Sequence, residues 1–214
     1  MFCFQCQETA KGTGCTIKGV CGKEEITSNL QDLLIYNLKG IAVLSEGLKA
    51  QGFEVGYDVG RFISKALFTT ITNANFDDNS LNHWIDQSLG LKKELKEKFD
   101  ALAPGAPKAS LWQKIVGMFA EAPEAAKETV MHESALWFGG SDYQEKAKTV
   151  GVLATENEDV RSLRELLIIG LKGVAAYADH AAVLGLKRMR FTILSSKPWS
   201  PPRKISPWTR WWAW

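Results

Sequence analysis

The chain has 214 residues, 45% of them hydrophobic, and a formal net charge of +2, enough apolar content to bury a sizeable core without relying on metal for its fold. No apolar run reaches 18 residues free of charge, so no membrane span is expected. Seven of the 26 Lys+Arg follow Asp179, whereas all 24 Asp+Glu stand at or before it; the body of the chain is therefore acidic, which argues against nucleic-acid binding.

The first stretch, MFCFQCQETAKGTGCTIKGVCG, holds every cysteine of the chain. Cys3, Cys6, Cys15 and Cys21 follow the spacing C-x2-C-x8-C-x5-C. Four thiols gathered in one short segment are a ligand set for a single metal centre, since thiolates suit soft metals and iron–sulfur clusters. A [4Fe–4S] cluster is the expected occupant. Gly12, Gly14, Gly19 and Gly22 would let the main chain turn sharply and approach its sulfurs. Lys11, Lys18 and Lys23 would offset its charge, and Phe2 and Phe4 would shield one side. A tetrathiolate zinc site uses the same donors, but structural zinc sites pair two short C-x2-4-C units and only the first pair here is short. Two disulfides or free thiols are a third reading, disfavoured because no basic region followed by an apolar run opens the chain.

After this loop (residues 1–25) a first helical bundle is expected over residues 26–103. Thr27 or Ser28 is the candidate cap of a helix whose Leu30, Leu33, Leu34, Leu38, Ile41, Leu44 and Leu48 keep helical spacing until Gly52. A second helix is expected from Tyr57 to Thr70 with Phe62, Ile63, Ala66 and Leu67 inward. The segment TNANFDDNS is a turn, and Asp78 or Ser80 would start a third helix that Pro104 stops. Residues 104–141 read as a variable connector with a short amphipathic helix at Ser110 to Ala120. Residues 142–185 read as the start of a second bundle: a helix at Tyr143 to Thr149, then a long one after Thr155 running to Leu184. There Glu156, Glu158 and Asp159 favour the positive end of the helix dipole rather than forming an acid–base pair.

The long helix repeats the first. LQDLLIYNLKGIAVLSEGLKAQG, Leu30 to Gly52, and LRELLIIGLKGVAAYADHAAVLG, Leu163 to Gly185, share nine of twenty-three positions, including Leu-Lys-Gly in one register. Two consecutive helical bundles built on one plan are the natural reading. The fold class is therefore all-α, with the cysteine loop at one end and the second bundle truncated. His83, His132 and His180 are too scattered to form a ligand cluster. Arg161 and Arg164 with Glu165 are expected in surface or inter-bundle ion pairs. No phosphate-binding loop, dinucleotide glycine motif, nucleophile elbow or H-E-x-x-H is present.

MFCFQCQETAKGTGCTIKGVCGK, and VGVLATENEDVRSLRELLIIGLKGVAAYADHAAVLG from Val150 to Gly185, resemble the hybrid cluster proteins, also called prismane proteins or hydroxylamine reductases. The resemblance covers about residues 1 to 185 and is weakest between Pro104 and Ser141. It implies that Cys3, Cys6, Cys15 and Cys21 hold a cubane [4Fe–4S] cluster. It further implies a cytoplasmic oxidoreductase of anaerobes, fed by an electron-donor reductase or redox protein, that reduces hydroxylamine to ammonia, with nitric oxide reduction as a further activity. The family's catalytic mixed oxygen–sulfur iron cluster takes its ligands from beyond position 214, so that cluster is expected to be absent from this chain and the chain inactive alone. A free-standing iron–sulfur electron carrier and a zinc-stabilised helical interaction module are the alternatives.

Residues 186–214 break the pattern. Five of the eight Trp and four of the seven Pro fall there, a basic composition that would also suit a membrane-surface or nucleic-acid arm. A slipped reading frame explains it better: restoring one base after the Leu186 codon permits LEEDEIYDFIIKALVSTTEDISVDEMVGL, whose FIIKALVST matches FISKALFTT, Phe62 to Thr70, at six of nine positions. This tail is therefore expected to be out of frame.

Overall fold

The computed structural model describes residues 2–102, 131–140 and 142–186. The expected helix at Ser110 to Ala120 and the tail after Leu186 lie outside these residues. Among the described residues the chain is all-α, with no strand.

Helix α1, Glu25–Ala50, is the hub. Its leucines and Ile41 are buried as their spacing predicts, but so are Gln31, Asn37 and Ser45, because this helix is covered on most sides rather than along one stripe. Gly52 closes it at φ +83°, the left-handed conformation that ends helices where glycine carries no Cβ penalty. Thr27 and Ser28 do not cap it. The helix starts earlier, with Glu24 at the cap position, and the two hydroxyls serve tertiary contacts: Thr27 Oγ1 donates to Asp78 Oδ1 at 2.7 Å, and Ser28 Oγ to the Phe2 carbonyl at 3.1 Å.

Helix α2, Tyr57–Thr69, agrees with the expected span; its Phe62 ring meets Trp84 at 5.5 Å between centroids. Helix α3, Asp78–Ala101, is capped by Asp77, whose carboxylate accepts the backbone N–H groups of Asn79 and Ser80. Asp77 takes that role in place of Asp78 or Ser80, because Asp78 is the acceptor for Thr27. A short 3-10 turn, Glu133–Ala135, packs on α1. Helix α4, Tyr143–Val150, is capped by Asp142, and helix α5, Glu158–Val183, by Asn157.

Helices α2, α3 and α4 and the 3-10 turn all pack on α1, whereas α5, the first long helix of the second repeat, lies on α2. By length and composition α5 could cross a membrane; two of its charged groups are engaged with α2 and its C-cap, Asp179 pairing with Arg61 and Lys172 Nζ donating to the Thr70 carbonyl at 3.0 Å. Among the described residues Arg161 and Arg164 form no ion pair; both guanidinium groups donate to Thr155, to its carbonyl and its hydroxyl respectively.

Candidate metal centre

The cysteine loop is held shut at its base. Cys3 and Cys15 face each other in an isolated antiparallel bridge, with the Cys15 N–H donating to the Cys3 carbonyl at 2.8 Å and the Phe2 N–H to the Cys15 carbonyl at 2.9 Å. Both cysteines are buried beside Phe2, and all four thiols are free. Cys6 and Cys21 are exposed. Among the described residues no three His, Cys, Asp or Glu side chains converge as metal ligands, so the structure joins two of the four cysteines through their backbone and leaves the other two at the rim.

Between these anchors Gly12, Gly14 and Gly22 adopt positive φ, from +54° to +92°, which allows the backbone to reverse without strain. Gly19 closes a tight ring with Lys23, its N–H donating to the Lys23 carbonyl at 2.8 Å. A Cβ at Gly19 would stand 2.7 Å from that carbonyl oxygen. The donor set suits a thiolate-ligated group: four unpaired soft ligands on one loop, two of them pinned and two accessible.

A buried polar network docks this loop to the bundle. Lys23, expected to offset the cluster's charge, is 1% exposed; its Nζ donates to Gln31 Oε1 at 2.9 Å and Gln5 Oε1 at 3.4 Å. Gln31 Nε2 donates to the Asn75 carbonyl, and Thr72 Oγ1 to the Gln5 carbonyl at 3.3 Å. The turn between α2 and α3 therefore grips the segment that carries Cys3 and Cys6.

Beyond this network lies a group of charges that no single-residue motif signalled. Burial pushes the Asp32 carboxyl up to about 7; the negative charge of Glu165 acts in the same direction, while Lys172, Lys39 and the Val152 N–H oppose it. Burial likewise raises Glu165, against Lys172 and Lys39. Lys39, although exposed to solvent, is lowered by partial desolvation, which the charges of Glu165 and Asp32 oppose. Burial lowers Lys172 to about 8, countered by Asp32 and Glu165, with the charges of Lys23 and Cys3 also within range. The duplication contained the signal: at its offset Asp32 aligns with Glu165 and Lys39 with Lys172.

The three histidines stay apart. His83 is exposed, His180 meets the edge of Phe68, and His132 Nδ1 accepts the Ser134 N–H. An open groove lined by Ile26, Asp78, Asn82 and Tyr143, among others, lies between α1, α3 and the start of α4 and includes no cysteine.

A Prismane/CO dehydrogenase family model matches residues 1–195. Hydroxylamine reductase of Nitratidesulfovibrio vulgaris is 52% identical over 189 residues, covering 88% of this chain and 31% of that protein. Hydroxylamine reductases of Desulfitobacterium hafniense strain Y51 and Clostridium botulinum strain 657 are 51% and 46% identical, covering 86% of this chain and 30% and 33% of theirs. The chain thus spans about a third of the length of these curated relatives.

Proposed function

Because this chain belongs to the Prismane/CO dehydrogenase family, we propose that it is the N-terminal part of a hydroxylamine reductase, with Cys3, Cys6, Cys15 and Cys21 holding a [4Fe–4S] cluster that passes electrons onward. The whole protein's reaction would be NH2OH + 2e− + 2H+ → NH3 + H2O. The observation that carries the proposal is the coincidence of four free thiols on one docked loop with 52% identity to a hydroxylamine reductase across that same region.

A bound cluster supplies one-electron transfer. Cys3 and Cys15 provide the fixed pair of ligands, and their mutual backbone bridge sets the spacing between them. Cys6 and Cys21, both exposed, would supply the other two thiolates, Cys21 from within the ring that Gly19 closes with Lys23. Phe2, buried against Cys3 and Cys15, keeps water from that side, which matters because solvent exposure is one of the determinants of cluster potential. The electron donor would be a cytoplasmic reductase or redox protein. No residue of this chain is assigned to bond-making on hydroxylamine, so the 214 residues alone are expected to form no ammonia.

The test is iron and sulfide analysis of the chain prepared without oxygen, together with its visible spectrum before and after dithionite. Four irons and four sulfides per chain, with a brown band that dithionite bleaches, is the expected result. A colourless protein with one zinc would refute the cluster. Ammonia produced from hydroxylamine by this chain alone would refute its assignment as an electron-transfer part.

A further inference from the structure

Two helices related by the internal duplication each carry an acid and, seven residues later, a lysine: Asp32 and Lys39 on α1, Glu165 and Lys172 on α5. Seven residues are two helical turns, so each pair shares a face. The two faces lie within electrostatic reach of one another, since each carboxylate feels both lysines. The arrangement is nevertheless asymmetric. The charges that act on Lys39 are those of Glu165, Asp32 and Arg164, whereas those that act on Lys172 are Asp32, Glu165, Lys23 and Cys3.

The main chain explains the asymmetry. Lys172 is 6% exposed, and its Nζ donates to the Thr70 carbonyl at 3.0 Å. Two residues further along the same turn, Thr72 Oγ1 donates to the Gln5 carbonyl at 3.3 Å. One turn thus holds both the ammonium from the second repeat and the loop segment between Cys3 and Cys6. A buried ammonium is costly unless opposite charge compensates it. Here the charges of Asp32 and Glu165 favour the ammonium, and the Thr70 carbonyl holds it on the turn that also grips Gln5.

We propose that Lys172 is the positioning charge of the N-terminal centre: a buried ammonium, delivered by the second repeat, that stabilises the negative charge which one electron adds to the group held by the four cysteines. This rests on the reading that those cysteines hold a cluster. No bond forms or breaks at Lys172; the electron comes from an external reductant, and the fixed positive charge favours its residence because charges interact strongly where water is scarce. The second repeat thereby sets the reduction potential of a centre built entirely from the first residues of the chain.

The experiment uses the full chain, prepared anaerobically, as wild type, Lys172→Gln, Lys172→Met, Lys172→Arg and Lys39→Met. Each is read by iron and sulfide content, helical circular dichroism and a dithionite redox titration at pH 7. Lys172→Gln, which retains a donor for the Thr70 carbonyl, and Lys172→Met should keep iron and helix content. Their reduction equilibrium should become at least tenfold less favourable, a fall of about 59 mV for one electron. Lys172→Arg should restore the wild-type potential, and Lys39→Met should leave it unchanged.

Unchanged potentials in iron-loaded Lys172→Gln overturn the proposal, as does an equal fall in Lys39→Met. Loss of fold in both neutral variants with Lys172→Arg intact makes Lys172 structural and also overturns it. Absence of iron in the wild type defeats the cluster reading instead, and the two failures are thereby distinguished.

Discussion

Lys92 offers the sharpest test of how this bundle is held together. It is fully buried on α3 with its Nζ donating to Asn37 Oδ1 at 2.7 Å and to the Ser134 carbonyl at 3.0 Å, and it lies over the rings of Trp137 and Phe138 at 5.4 and 5.6 Å. Neither hydrogen-bond acceptor is a carboxylate. Burial therefore lowers its pKa to about 7, and the nearby Lys146 adds to the shift. The unfolded chain holds a proton between about pH 7 and 10.5 that the folded chain releases. Stability from this group is thus complete above 10.5 and is lost as pH falls through about 7. At 1.36 kcal/mol per tenfold change in protonation, the cost of burying Lys92 at neutral pH is on the order of 4 kcal/mol. Lys92→Met removes the titration but strands Asn37 Oδ1 and the Ser134 carbonyl, roughly 1–3 kcal/mol each and independent of pH. The diagnostic quantity is therefore the pH dependence of the gap between the two proteins. Urea unfolding of both, followed by helical circular dichroism from pH 6 to 9.5, should show the wild type gaining on Lys92→Met by up to about 1.4 kcal/mol per pH unit above pH 7. A gap that stays flat across that range would refute the reasoning, because it would mean that the ammonium is not forced to lose its charge.

Asp32 should behave in the opposite sense. Its folded pKa is raised from 3.8 to about 7, so the wild type should lose stability relative to Asp32→Asn as pH rises through that window, measured by the same unfolding series. Gly40 touches the 3-10 turn so closely that a Cβ would meet the Ser134 carbonyl, 2.7 Å from its carbon; Gly40→Ala should cost about 1–3 kcal/mol. Gly90→Ala, on open helix surface, should stabilise by roughly 0.5–1 kcal/mol in the same urea assay. Asp77→Ala should cost about 1 kcal/mol by removing the acceptor for the first N–H groups of α3. Gly19→Ala should lower the iron retained after gel filtration, because the ring between Gly19 and Lys23 cannot close around a Cβ.

The sequence alone determined what depends on neighbours along the chain. The leucine spacing of α1, the limits of α2, the glycine stops at Gly52 and Gly185, and the grouping of four cysteines on one loop all follow from helical period, turn chemistry and ligand spacing, which are short-range properties. Tertiary structure decided whatever required two distant segments to meet. Thr27 and Ser28 have the composition of helix caps but serve α3 and the cysteine loop, because Asp78 and the Phe2 carbonyl come within their reach. Lys23 and Lys92 look like surface charges, yet they are buried because covering α1 on most sides leaves their ammonium groups no route to water. The duplication aligned Lys39 with Lys172 in sequence and gave no means of telling them apart. Only the seating of α5 on α2 places one of them on the Thr70 carbonyl beside the loop, because a charge acts through distance and dielectric, and both are set by packing rather than by register.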